Sequence, residues 1–249
     1  MSVPLSHAEA PGTGIPARRT SPGSPRIPAS PGVDLHAVSR PARTFTGDFY
    51  FVHEDEQGIW VVLGDVAGKG LPAAVTMAMI QEELDHRIAA WVEARSDPAE
   101  IMLHLHGFLE PILPANRFAT AVVGHLRRDG WLAIANAGQC PPLVARRNGA
   151  IESFSSTGPV VGPLPNPRWS SRTTALKPGD TLLLYSDGLI ETRSRGGEEF
   201  GLAAVRSALS SAACTEPSAM KINERILEAF DRHARGARDD DLTLVVMSR

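Results

Sequence analysis

Short apolar or alternating runs recur from Val33 to the end of the chain, each closed by turn residues. They are "DLHAVSR", "GDFYFVHE", "GIWVVLGDV", "RFATAVVGHL", "WLAIANAG", "PPLVARR", "GDTLLLYSD" and "DLTLVVM". Runs of this length bounded by Gly, Pro, Asn and Asp read as strands. Tight turns join several of them, notably "RRDG" before Trp131 and Asn148-Gly149, a dipeptide suited to a type I′ hairpin. Antiparallel pairing follows. Helical patterns fall in clusters. One runs from Leu71 to about Glu110 and is divided near "SDPAE", where Ser96 or Asp97 can cap a second helix and Pro98 fits its first turn. Two more are expected near 201–211 and 217–234. Many antiparallel strands with clustered helices imply an α+β layered sandwich and not a βαβ repeat.

Residues 1–32 differ in texture. They are dense in Pro, Ser and Gly and almost empty of aromatics. Such a segment buries too little surface to offset its ordering entropy, so a disordered tail is expected, followed by one domain over 33–249. The 249-residue chain is 43% hydrophobic, enough for a sizeable core. A formal net charge of -3 leaves no basic field for nucleic acid or an anionic membrane. Cys140 and Cys214 form no zinc or disulfide pattern, and no apolar stretch reaches the roughly 18 residues of a membrane span. The N-terminus lacks the features of a signal peptide. A soluble cytoplasmic protein is expected.

Residues 59–75, "IWVVLGDVAGKGLPAAV", invite a phosphate-loop reading. From Gly64 to Gly70 the run is one residue short of that motif and lacks its Ser or Thr, while the dinucleotide fingerprint is also unmatched. The acids of these runs are more informative. A hairpin over 47–66 whose turn is centred between Glu56 and Gln57 sets Asp48 opposite Asp65. Like charges so placed destabilise a sheet unless a cation intervenes, and a slip of one residue would separate them. Asp187 ends "TLLLYSD", and Asp239, Asp240 and Asp241 begin "LTLVVM". If those two strands are antiparallel, their acidic ends meet. Asp48, Asp65, Asp187 and one of the last three would then share a rim. Aspartates beside turns also serve as plain turn caps. Four together suggest oxygen ligands for hard cations, magnesium or manganese, and hydrolysis of a phosphate ester.

In order, "PGVDLHAVSRPA", "GDFY", "GDVAGKGLPAAVTMA", "FATAVVGHL", "ANAGQCPPLVAR", "LKPGDTLLLYSDGLIETR" and "DDDLTLVV" resemble the bacterial PP2C-like (PPM) serine/threonine phosphatases of the SpoIIE/RsbU type over about residues 31–248. The resemblance implies an αββα sandwich of two antiparallel sheets between helical layers, with two Mn2+ or Mg2+ ions at one end. It assigns Asp48 to one metal, Asp65 to both, the Val66 backbone carbonyl as a further ligand, and Asp187 and Asp240 to the other metal. Asp240 is preferred over Asp239 and Asp241 by its spacing from the Thr of the terminal motif. The implied activity is hydrolysis of phosphoserine or phosphothreonine by a metal-activated water. The implied substrate is a STAS-type anti-sigma-factor antagonist, and the helices over 71–113 are the implied switch elements. No sensor domain is recognised, so an activating protein partner or the tail is expected to carry the input.

The chain departs from the family pattern at Thr46, where a glycine is usual, at Phe51, where an acid is common, and at Gln139, where the family has histidine. Lys69 reads either as a phosphate contact or as a solvated loop residue. His104 and His106 are expected to point to different sides of a helix, and His53 and His125 to be surface or pairing residues. No group near Cys140 is expected to lower its pKa, and Trp60 and Trp131 are expected in the core. The competing function is a catalytically weak phosphoprotein-binding regulator on the same fold.

Overall fold

The computed structural model describes residues 32–249 except 43, 95–96, 115, 163, 217 and 236–239. The expected tail, Gly32 aside, therefore lies outside the described residues, as do Ser96 and Asp239. One sheet has the order β2–β3–β4–β5–β8: β2 (Asp48–Glu54), β3 (Gly58–Val66), β4 (Ala119–Arg127), β5 (Trp131–Ala137) and β8 (Arg172–Ala175). The other has the order β1–β10–β9–β6–β7: β1 (Asp34–Arg40), β10 (Leu242–Ser248), β9 (Thr181–Tyr185), β6 (Leu143–Ala145) and β7 (Ile151–Ser153). All ladders between these strands are antiparallel.

Side chains alternate across each strand, so a central strand must bury both faces. In β3, Val61 and Leu63 meet Leu35, Leu182 and Val245 between the sheets, while Trp60 and Val62 face the opposite way. That outer face is covered by α1 (Leu71–Ala94) and α2 (Pro98–Leu109) through Ile80, Leu84, Ile101 and Leu105. The second sheet is covered by α4 (Gly201–Thr215) and α5 (Ala219–Ala234), whose Leu209, Ile226 and Phe230 pack on Leu183, Leu244 and Val246. The result is the expected αββα sandwich. No described helix is long and apolar enough to cross a membrane.

Local signals place the helix starts. The Asp97 carboxylate accepts the Ala99 N–H at 2.9 Å and Pro98 occupies the first turn of α2. Ser218 caps α5 by accepting the Lys221 N–H. Several sequence expectations need correction. Gly149 has φ +84°, but Asn148 does not share the positive φ that a type I′ turn requires at both positions. The Gly149 N–H bonds to the Arg146 carbonyl, giving a type I turn closed by a left-handed glycine. Strands β7 and β8 and the short helix α3 (Gly188–Glu191) were not anticipated. Trp131 is 51% exposed, because it starts β5 on the outer end of the sheet, whereas Trp60 is buried. His125 is buried, stacked on Trp60 at 3.8 Å and 9°. It pairs across strands, as expected, but is no surface residue. His104 is exposed and His106 buried on α2, on different sides as expected.

Candidate active site

The hairpin turn sets one half of the rim. Asp55 Oδ1 accepts the N–H groups of Gln57 and Gly58 at 2.7 and 2.9 Å, and the Asp55 N–H bonds to the Gly58 carbonyl. An Asx turn of this kind pins the register. Asp48 is consequently the direct partner of Asp65 at the open end of β2 and β3. Gly47 precedes Asp48, and a Cβ there would lie 2.6 Å from Asp65 Oδ1 and 2.9 Å from the Val66 carbonyl oxygen. Those two oxygens therefore border the same small space, which any side chain at position 47 would fill.

The other sheet supplies the second half. Leu244 of β10 pairs with Tyr185 of β9, so the acidic ends of the two strands do meet. Past the ladder, the Ser186 N–H bonds to the Thr243 carbonyl and the Thr243 N–H to Ser186 Oγ, both at 2.9 Å. Asp187 then stands at the start of α3. Gly188 passes so near Asp241 that a Cβ would come within 2.0 Å of its carbonyl oxygen. Asp241 itself is tied down: Oδ1 accepts the Ala42 N–H at 2.7 Å and Oδ2 the Gly47 N–H at 3.2 Å. Asp240 faces outward, with Oδ2 3.6 Å from Lys69 Nζ. Asp65, Asp240 and Lys69 line one cleft.

The electrostatics record the crowding. Burial pushes the Asp48 carboxyl up to about 7, against hydrogen bonds from Thr243 and Ser186, and the Asp241 and Asp187 charges push the same way. Burial likewise pushes Asp65 up to about 8, aided by Asp48, Asp187, Asp240 and Asp241. Asp187 is raised by burial, then by Asp240 and Glu191. Asp48 is only 5% exposed and its Oδ2 has no hydrogen-bond partner. A buried carboxylate oxygen without a donor is costly unless a cation meets it. Oxygen-only donors suit hard divalent ions. Among the described residues, no three His, Cys, Asp or Glu groups close around a single point. The rim instead offers separate carboxylates and a backbone carbonyl, which fits an ion that keeps several waters better than one held in an all-protein cage.

The four expected acids thus come together from two sheets, and Asp239 lies outside the described residues. Sequence reasoning assigned no role to Ser186 and Thr243, although both stand inside its quoted motifs; a hydroxyl next to each acidic run was the available signal. It also gave Asp241 no task beyond that of an alternative ligand. Gln139 is buried in the loop after β5, where Asn136 Oδ1 accepts its N–H and its own Oε1 accepts that of Cys140. Burial and the charges of Asp187, Glu191 and Asp48 push the Cys140 thiol up to about 12, so it is no thiolate.

The family model for stage II sporulation protein E (SpoIIE) matches residues 55–249. Phosphoserine phosphatase RsbU of Bacillus subtilis (strain 168) is 26% identical over 228 residues, which cover 90% of this chain and 65% of RsbU. The chain spans still smaller shares, 38% and 46%, of two further curated relatives. The SiaA-PP2C domain of Pseudomonas aeruginosa superposes with a TM-score of 0.75 at 22% identity, over 86% of this chain and 85% of that one. RsbX, whose structure is in complex with magnesium, gives 0.64 at 15% identity over 86% and 94%. At these identities the two structures speak for the fold, which is that of the PP2C phosphatases.

Proposed function

Since this chain belongs to the SpoIIE family, we propose that it is a metal-dependent phosphoprotein phosphatase acting on phosphoserine or phosphothreonine. The observation that carries this reading is the crowding of Asp65 by the charges of Asp48 from its own sheet and of Asp187 and Asp240 from the other, with a buried Asp48 oxygen that has no donor on the paired position. Asp48, Asp65, Asp187, Asp240 and the Val66 carbonyl would hold two Mn2+ or Mg2+ ions. Two such ions supply Lewis acidity, lowering the pKa of water and neutralising phosphoryl oxygens. The name of RsbU and the magnesium in the RsbX structure support the same chemistry.

The chain contributes placement. The Ser186 hydroxyl donates to the Asp241 carbonyl and accepts the Thr243 N–H, tying the ends of β9 and β10 together beside Asp48, and the Asp241 carboxylate fixes the segment leading into β2. Gly47 keeps the space beside Asp65 and Val66 clear. Because the cleft opens to solvent along the rim, a phosphorylated side chain on a folded protein fits better than a ligand needing full enclosure. The substrate is proposed to be a STAS-type anti-sigma-factor antagonist in the cytoplasm. An activating protein partner is proposed to act at α1, which starts directly after Gly70 and exposes Leu71, Val75 and Met79 along one side.

The test is hydrolysis of para-nitrophenyl phosphate and of a phosphoserine peptide, with manganese and with chelator. Metal-dependent turnover is expected. Its absence on both substrates would reject the enzyme reading in favour of a phosphoprotein-binding regulator. Capture of a phosphorylated antagonist by the Asp187→Asn chain tests the substrate.

A further inference from the structure

The loop Ala67–Gly70 joins β3 to α1 and carries Lys69 between two glycines of positive φ, Gly68 at +117° and Gly70 at +81°. Both polar groups of Ala67 are tied to one neighbouring segment. Its carbonyl accepts Arg117 Nη1 at 2.7 Å, and its N–H bonds to the Phe118 carbonyl at 2.9 Å. Arg117 occupies the space above Gly68 so fully that a Cβ there would lie 1.3 Å from Nη1. The loop is therefore clamped from outside, and its shape does not depend on side chains of its own.

Lys69 projects from this clamped loop into the cleft lined by Asp65 and Asp240. Its Nζ is 3.6 Å from Asp240 Oδ2, with the two side chains 62% and 47% exposed. A pair that open to water contributes little to stability and separates easily. Among the described residues lining the cleft, Lys69 is the one cation beside three acids, Asp65, Asp240 and Asp241. An incoming phosphate dianion is repelled by those acids wherever their charge is not met. An ammonium at the rim gives its free oxygens a charge-assisted donor that the acids cannot supply.

We propose that Lys69 binds the phosphate of the substrate and that Arg117 is a positioning residue, holding Lys69 over the cleft through the Ala67 carbonyl. The assignment rests on the phosphatase reading above and adds a binding role to it. A solvated lysine of no function would leave phosphate affinity unchanged when removed, which separates the two possibilities.

The experiment uses the full chain loaded with manganese and inorganic phosphate as the probe, with binding read by calorimetry and turnover by para-nitrophenyl phosphate hydrolysis. Lys69→Met should weaken phosphate binding about tenfold and raise KM similarly, with a smaller change in kcat. Manganese affinity should stay the same or tighten, since a nearby positive charge is lost. Lys69→Arg should recover most of the phosphate affinity. Arg117→Met should weaken phosphate binding in the wild-type background and add little to Lys69→Met. Arg117→Lys, which keeps a donor for Ala67, serves in its place if the melting temperature falls. Wild-type phosphate affinity in Lys69→Met, or no phosphate binding by the wild-type chain, overturns the role of Lys69. Additive effects of the two substitutions overturn that of Arg117. If the wild-type chain binds phosphate but turns nothing over, the phosphatase reading fails while the binding comparison still decides Lys69.

Discussion

Asp180 and Asp187 flank the same buried five-residue strand, β9, yet live under opposite conditions. At the Asp180 end the carboxylate is fully answered. Asp180 accepts from Arg146 Nη1 at 2.8 Å and from the N–H groups of Lys177 and Arg147 at 3.0 Å each. Arg146 also reaches Glu152, Thr174 and the Ala175 carbonyl, stitching one sheet to the other. Burial acts to raise the Asp180 carboxyl, but these partners outweigh it and hold the group below its usual value. At the Asp187 end, Asp48, Asp65 and Asp187 are all raised, and one Asp48 oxygen has no donor. One end spends its charges on holding the sandwich together. The other crowds several acids beside one buried oxygen without a donor, which is unfavourable for folding and is what a cation site requires.

Substitutions should divide along this line. The largest effect belongs to the acid end: Asp65→Asn or Asp187→Asn should cut manganese-dependent turnover by about 10³-fold or more, roughly 4 kcal/mol of barrier. In the metal-free protein, Asp65→Asn should hold or raise the melting temperature, since it removes one of several crowded carboxylates. A large drop would assign Asp65 a structural hydrogen bond instead. At the paired end the pattern reverses. Arg146→Met should cost about 3 kcal/mol in urea unfolding, because it strands a buried carboxylate, while leaving kcat/KM nearly intact. Loss of activity without loss of stability there would break the comparison.

Metal should act on one end alone. Manganese at about 100 times its Kd should stabilise the wild-type chain by about 2.7 kcal/mol over the chelated form, with little gain in Asp65→Asn. The smallest effect is in pH. Asp48 and Asp65, folded near 7 and 8 against an ordinary 3.8, keep protons that the unfolded chain has already released. Their contribution to stability therefore falls as pH rises from about 4 to about 8. Asp180, held low, contributes stability above its ordinary value that is lost as pH falls through its folded value. Chelated wild-type protein should lose of order 2 kcal/mol between pH 5 and pH 8 by urea unfolding. An equally steep loss in Asp65→Asn would place the titrating group elsewhere.

Much of this was open to reading along the chain. The Asp48–Asp65 pairing followed from where the turn falls, because an antiparallel hairpin with a known turn has one register. The cap at Asp97, the break between α1 and α2 and the main strands follow equally local rules of period and capping. Strands β7 and β8 were missed because each is short and carries no fully buried residue, so no apolar run marks it as one marks the equally short β6. Trp131 left its expected place in the core, and His125 took the pairing role of its two expected ones while buried, for another reason. Burial at a strand position depends on what packs against that face, and a strand's own sequence does not name its cover.

What the sequence determined by itself, then, were the contacts between near neighbours: the hairpin register, the helix caps, and the glycines that free the backbone around Lys69. These depend on dihedral preference and on hydrogen bonds a few residues apart. The tertiary structure alone decided which groups of the opposite sheet surround the Asp48–Asp65 pair. Asp241 bonds to Gly47 across 194 positions, and the Thr243 hydroxyl donates to Ser39 across 204. The first of these contacts exists only once the hydrophobic faces of two sheets have closed on each other, and that same closure removes water from Asp48 and Asp65 and so raises their pKa values.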